Sequence, residues 1–174
     1  MKHHTTCAAA LLAAFAMCAA PALAQQNEAA LQVYVFDPTG TPTNVRATPG
    51  GAVTGTLPVG GEYLVTLAGC KKNWCRASAI ETIEGEPVAL AKGGGRWLHS
   101  SVLAFSTRNY GEQKLTLRAQ PDEKAASVFS FTNERALRPL DVRAGWVQAE
   151  TLDKKHRGWL QTEWVCGNPM TNCP

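Results

Sequence analysis

Several things are scarce in this sequence, and each scarcity excludes a class of protein. Net charge is one: 17 Lys and Arg stand against 14 Asp and Glu, a surplus of +3, with no run of five basic residues. A nucleic-acid-binding surface needs a denser cationic stripe than that, so none is expected. Long apolar runs are also missing. The one candidate, Cys7 through Ala20, is Ala-rich and shorter than the roughly 20 residues a membrane helix needs. No transmembrane segment is therefore expected after it. Helical periodicity is poor everywhere beyond that first stretch. Histidine is rare, and two of the four sit at His3 and His4, leaving only His99 and His156. No Ser/His/Asp set, paired-carboxylate motif, phosphate loop or nucleotide fingerprint occurs. Neither a catalytic residue nor a cofactor is expected.

What is present begins with a label. Met1 and Lys2 open a short positive region, the apolar run follows, and Pro21-Ala22-Leu23-Ala24 closes it. Ala22-x-Ala24 has the small-residue spacing a signal peptidase reads, so residues 1–24 are expected to be a cleaved signal peptide. A competing reading is lipidation at Cys18, although Phe15-Ala16-Met17 matches the usual preceding pattern poorly. The expected location is periplasmic or secreted. The 150 residues left suit one ordinary domain or two very small ones.

Four cysteines remain after the signal: Cys70, Cys75, Cys166 and Cys173. An even number in an exported chain reads as disulfides. Cys70 and Cys75 flank the polar turn Lys71-Lys72-Asn73-Trp74, and a hairpin there brings them together. Cys166 and Cys173 bracket the turn-rich Gly167-Asn168-Pro169 and pair by default. Zinc is the rival, but C-x4-C and C-x6-C are looser than zinc-ribbon spacing and the compartment is oxidising, so no metal is expected.

An internal repeat organises the rest. Val45-Arg46-Ala47-Thr48-Pro49 matches Leu117-Arg118-Ala119-Gln120-Pro121 at an offset of 72, and Trp74-Cys75-Arg76-Ala77 matches Trp146-Val147-Gln148-Ala149 at the same offset. Arg96-Trp97-Leu98-His99 then matches Gly158-Trp159-Leu160-Gln161 at 62, which gives the first copy ten extra residues near 78–95. Short runs around Val33, Leu64, Val65, Leu67, Leu115 and Leu117 are punctuated by Gly and Pro, so the fold class is all-β. Pro121 to Ser127 allows one helical turn and no more.

The order of these motifs resembles bacterial SH3-like domains. The first copy has Asn44-Val45-Arg46-Ala47-Thr48-Pro49, Leu57-Pro58-Val59-Gly60, Asn73-Trp74-Cys75 and Arg96-Trp97-Leu98. The second has Thr116-Leu117-Arg118-Ala119-Gln120-Pro121, Gly145-Trp146-Val147 and Gly158-Trp159-Leu160, and it lacks the Leu-Pro-x-Gly step. The resemblance implies two tandem small barrels at 31–104 and 110–166, with a short link near Phe105 to Tyr110 and a tail at 167–174. It also implies a binding role, since such barrels often accompany cell-wall hydrolases. With the two copies taking up most of this sequence, no separate hydrolase domain is expected within it.

Tryptophan carries the candidate site. Trp74 and Trp146 either cover one end of their own barrels or form an aromatic platform for a ligand. Trp97 and Trp159 read as core. Trp164 aligns with Val102, so it serves something outside the shared core, such as the contact between copies. Arg46 and Arg118 read as structural, each pairing with a carboxylate or carbonyls. Lys154-Lys155-His156-Arg157 reads as a solvated turn or a contact to an anionic polymer. The expected function is a non-enzymatic envelope-binding module for peptidoglycan peptides or an envelope protein, with Trp74, Trp146 and Trp164 in its site. The alternative is an inhibitor or immunity-type protein that blocks a cell-wall hydrolase or a toxin.

Overall fold

Alternation of buried and half-exposed side chains builds most of the secondary structure. In Trp146–Thr151, the side chains of Val147, Ala149 and Thr151 are buried, while Trp146, Gln148 and Glu150 are only partly covered. That period of two is a strand with one face on the core. The computed structural model describes residues 30–90 and 95–171, so the expected signal peptide, part of the Gly-rich insertion and Cys173 lie outside the described residues.

Thirteen strands join in one antiparallel sheet, and no α-helix occurs among the described residues. In chain order the first six are β1 (Leu31–Val35), β2 (Thr43–Arg46), β3 (Val53–Leu57), β4 (Tyr63–Lys71), β5 (Trp74–Thr82) and β6 (Trp97–His99). A 3-10 turn over Ser100–Val102 leads into β7 (Leu103–Thr107). There follow β8 (Leu115–Arg118), β9 (Ser127–Phe131), β10 (Ala136–Arg143), β11 (Trp146–Thr151) and β12 (Arg157–Gln161). A second 3-10 turn over Thr162–Trp164 leads into β13 (Val165–Cys166).

Neighbours run β3-β2-β6-β5-β4-β1-β7-β10-β11-β12-β8-β9, with β13 paired to β7. Read inward from β3, the order is 3, 2, 6, 5, 4, 1; read inward from β9, it is 9, 8, 12, 11, 10, 7. Each strand thus has a partner of the same rank six places later. Strand β7 serves both series. Leu103 and Ala104 pair with Val35 and Tyr34 of β1, whereas Phe105 and Ser106 pair with Leu137 and Ala136 of β10. Thr107 and Ser106 also pair with Val165 and Cys166 of β13. Where the sequence suggests a link from Phe105 to Tyr110, the chain is still strand through Thr107. Buried Leu103, Ala104 and Phe105 form a continuous apolar run, as expected of a strand covered on both faces.

The hairpin tips are alike in register. Cys70 faces Cys75 and Lys71 faces Trp74; Val142 faces Val147 and Arg143 faces Trp146. Cys70 and Cys75 form a disulfide. Lys72 and Asn73, with φ of 51° and 64°, make the two-residue turn whose twist matches the flanking strands. Asn tolerates that left-handed backbone better than most residues. Cys166 is also disulfide-bonded. Gly69, at φ 138°, sits where the β4–β5 register slips between Leu67 and Gly69, a bulge that a Cβ would strain.

One core spans the sheet. Val33, Val45, Val65, Leu98, Phe105, Leu117, Leu137 and Val147 are all at 0% exposure within a single cluster. Each such side chain contributes about 1.5–3 kcal/mol of burial. Arg138 of β10 is buried as well. Its Nη1 donates to the Ser101 carbonyl, and its guanidinium lies 6.0 Å from the Phe36 ring. It therefore links the second series of strands to the turn that ends the first. The visible part of the insertion folds back: Val88 N–H donates to the Ile80 carbonyl, and Leu90 packs over Gly55.

Candidate functional site

Two open cavities occupy matching places in the two series of strands. The first, about 230 Å³, is lined by Asp37, Asn44, Arg46, Trp74, His99 and Val102 among others. The second, about 130 Å³, is lined by Lys114, Thr116, Arg118, Trp146, Gln161 and Trp164 among others. Asn44, Arg46 and Trp74 correspond to Thr116, Arg118 and Trp146 at the offset of 72, and His99 and Val102 to Gln161 and Trp164 at 62. The site residues expected from sequence are therefore divided. Trp74 lies in the first cavity, while Trp146 and Trp164 share the second.

Strand ends set these positions. Trp74 is the first residue of β5 and faces His99 of β6; Trp146 is the first of β11 and faces Gln161 of β12. Each Trp follows a tight turn, so it stands at the sheet rim rather than in the core. Trp164 ends the second 3-10 turn. Trp159 is buried and covered by the Arg143 guanidinium at 4.7 Å, while Trp97 is half-buried on β6. The arginines brace the walls through carbonyls. Arg46 Nη1 donates to Gly51 O at 2.7 Å, and Arg118 Nη1 to Ala125 O at 2.9 Å.

The first cavity mixes donors and acceptors. Asp37 accepts from Thr43 Oγ1 at 2.6 Å and from Thr39 N–H at 3.0 Å. Burial raises its pKa, but the hydrogen bonds from Thr43 and Thr39 outweigh that and hold it below the usual carboxylate value. The carboxylate is therefore ionised near neutral pH. His99 meets the Trp74 ring edge-on at 5.1 Å. Its Nδ1 accepts the Ser101 N–H at 3.3 Å and lies 2.8 Å from Ser101 Oγ. In the neutral ring the hydrogen is then on Nε2. Burial first, then the positive Lys154 and Arg138, lowers the His99 pKa.

Sequence reasoning missed Asp37 and gave His99 no place in the site. The signal for His99 was its place opposite Trp74, legible only once the hairpin register is known. Asp37 lies between β1 and β2 and has no counterpart in the matched motifs. The basic cluster at 154–157 is largely engaged. Lys155 meets Asp153 at 3.7 Å, Arg157 meets Glu150 at 2.8 Å, and His156 stacks on Phe129 at 4.0 Å. Among the described residues no group of three His, Cys, Asp or Glu could hold a metal.

No family model matches the chain, and no curated protein matches it. Two solved structures are similar in part. One is NlpC2 from Trichomonas vaginalis, at 9% identity and a TM-score of 0.30, over 79% of this chain and 48% of that one. The other is NlpC1 from the same organism, at 10% identity and a TM-score of 0.30, over 77% of this chain and 45% of that one. The chain spans about half the length of these two proteins.

Proposed function

We propose that this chain is an exported, non-enzymatic binding module built from two tandem bacterial-SH3-like barrels, which takes peptidoglycan peptides or an envelope protein. Duplication of the unit is supported by the recurrence of strand order six places apart and by the matched hairpin registers. The observation that carries the binding role is the pair of cavities. Each places a rim Trp beside an Arg already braced by a backbone carbonyl. A rigid aromatic wall next to an oriented cation suits a ligand with a flat or apolar part and a polar end. The one hydroxyl–imidazole pair in the first cavity, Ser101 Oγ with His99 Nδ1 at 2.8 Å, belongs to the cap of the 3-10 turn, where the same nitrogen accepts the Ser101 N–H.

The test is co-sedimentation of residues 25–174 with isolated peptidoglycan sacculi. Pelleting that survives raised salt is the expected result, with loss on Trp74→Ala or Trp146→Ala while the circular-dichroism spectrum is kept. A protein that stays wholly in the supernatant sinks the wall-binding reading and makes a protein partner the better one.

A further inference from the structure

The two cavities differ in chemistry more than in position. Around the first, Asp37, Asn44 and the hydroxyls of Thr39 and Thr41 supply acceptors beside Arg46. The second has no carboxylate in its lining and carries both Lys114 and Arg118. Neither cation forms an ion pair among the described residues. Arg118 uses one donor on Ala125 O and keeps the others. No acceptor within the described residues takes the indole N–H of Trp146 or of Trp164. The Thr116 hydroxyl is already paired with Ser130 Oγ at 2.8 Å, and the Gln161 amide donates to Glu123 at 2.8 Å. What is left around this cavity is mainly donors, two of them charged, between two aromatic walls.

We infer that the second cavity binds the free terminal carboxylate of a short peptide. The carboxylate takes the Arg118 and Lys114 donors, and the side chain of the last residue lies against Trp146 and Trp164. Two like charges around one small space repel, and an anion between them reverses the sign of that interaction. Arg offers the planar paired donors that a carboxylate matches, and such charge-assisted bonds are the strong ones. Indole rings add apolar contact with an N–H at the edge. A space of about 130 Å³ suits one small terminal residue rather than a longer run of chain. Trp164 supplies the distinguishing wall, since the first series of strands has only Val102 in its place.

The inference deepens the binding role proposed above and rests on it for the biological ligand, yet the two are tested apart. The full chain, labelled with nitrogen-15, is titrated with N-acetyl-Ala-Ala as the free acid and as its C-terminal amide, and the indole N–H signals are followed. The expected result is saturable movement of the Trp146 and Trp164 signals by the acid, with the amide at least tenfold weaker. Raised salt weakens binding of the acid more than that of the amide. Lys114→Gln and Trp164→Val each lower affinity several-fold, whereas Arg76→Gln, at an exposed position of β5 outside both cavities, leaves it unchanged. Trp164→Val keeps the test valid if Arg118 variants fail to fold, because Val already occupies the matching place. Equal affinity for acid and amide, movement at Trp74 instead, or no saturable movement at millimolar peptide overturns the inference. Sacculus binding without acid selectivity would leave the wall-binding role standing and this inference refuted; acid selectivity without sacculus binding would do the reverse.

Discussion

The β4–β5 hairpin and the β10–β11 hairpin hold their tips together by different means. In the first, the residues facing each other one step before the turn pair are Cys70 and Cys75, and they are covalently joined. In the second they are Val142 and Val147, with Val147 fully buried. The same backbone register is thus reached once by a bond and once by packing. The turn residues follow suit. Lys72 and Asn73 are both left-handed in the first hairpin, whereas Gly145 alone takes a positive φ in the second. A disulfide is therefore one solution to closing this hairpin and not a condition of it. The contrast extends to the sites, where mixed polarity around Trp74 stands against mostly donors around Trp146.

The largest test of the comparison asks whether the two series of strands are separable at all. Phe105 is fully buried in β7, which pairs with both. Phe105→Ala should cost about 3–5 kcal/mol. Because the strand serves both series, the Trp74 and Trp146 indole signals should be lost at the same urea concentration, before and after the substitution. Two separate transitions would show that the halves fold independently and that β7 belongs to only one of them.

Next comes the disulfide. A closed loop as short as Cys70–Cys75 constrains the unfolded chain by about 2 kcal/mol in the chain-entropy account. The double variant Cys70→Val with Cys75→Val puts the second hairpin's solution into the first. It should lose no more than about 2 kcal/mol in urea unfolding and keep its strand content. Failure to fold would mean that valine packing cannot stand in for the bond at this tip.

The braces at Arg46 and Arg118 come third. Each donates one bond to a carbonyl of the loop that follows its strand. Lysine keeps the charge but not the fixed planar fork, so Arg46→Lys and Arg118→Lys should each cost about 1 kcal/mol and by similar amounts. A clearly larger loss at one of them would show that its loop depends on the brace in a way the other does not.

Much of this comparison can be read from the sequence. The offset of 72 that aligns Trp74 with Trp146 also aligns Cys70 with Val142 and Cys75 with Val147, and the tips keep that alignment in register. Local turn chemistry placed Cys70 beside Cys75 for the same reason. The double role of β7 was not legible. Pairing with β1 on one stretch and with β10 and β13 on the next is a long-range property, and Leu103-Ala104-Phe105 reads equally well as the end of one unit. Trp164 was placed outside the shared core, with the contact between copies as one suggested role and the ligand site as another. Its position at the end of a 3-10 turn brings it into one cavity with Trp146, a grouping that the repeat offset alone does not give. Asp37 was invisible because the β1–β2 connection has no motif, and only its bonds to Thr39 and Thr43 fix it there.

The smallest expected effect isolates one residue that the halves do not share. Burial, then Lys154 and Arg138, hold the His99 pKa below the ordinary histidine value of about 6.5. The unfolded chain therefore takes up this proton at a higher pH than the folded chain does. Between the two values the unfolded state binds more protons, so stability falls as pH drops below about 6.5 and stops falling below the folded value. The slopes from Asp37 and Asp153, whose pKa values are also lowered, belong to a separate window below about 4. His99→Gln places at β6 the residue that β12 carries as Gln161. Urea midpoints compared at about pH 7.5 and pH 5.5 should show a smaller difference in the variant than in the parent chain. An unchanged difference would assign the slope to another group, and the second cavity's neutral Gln161 would then no longer mark a functional divergence in pH response between the two sites.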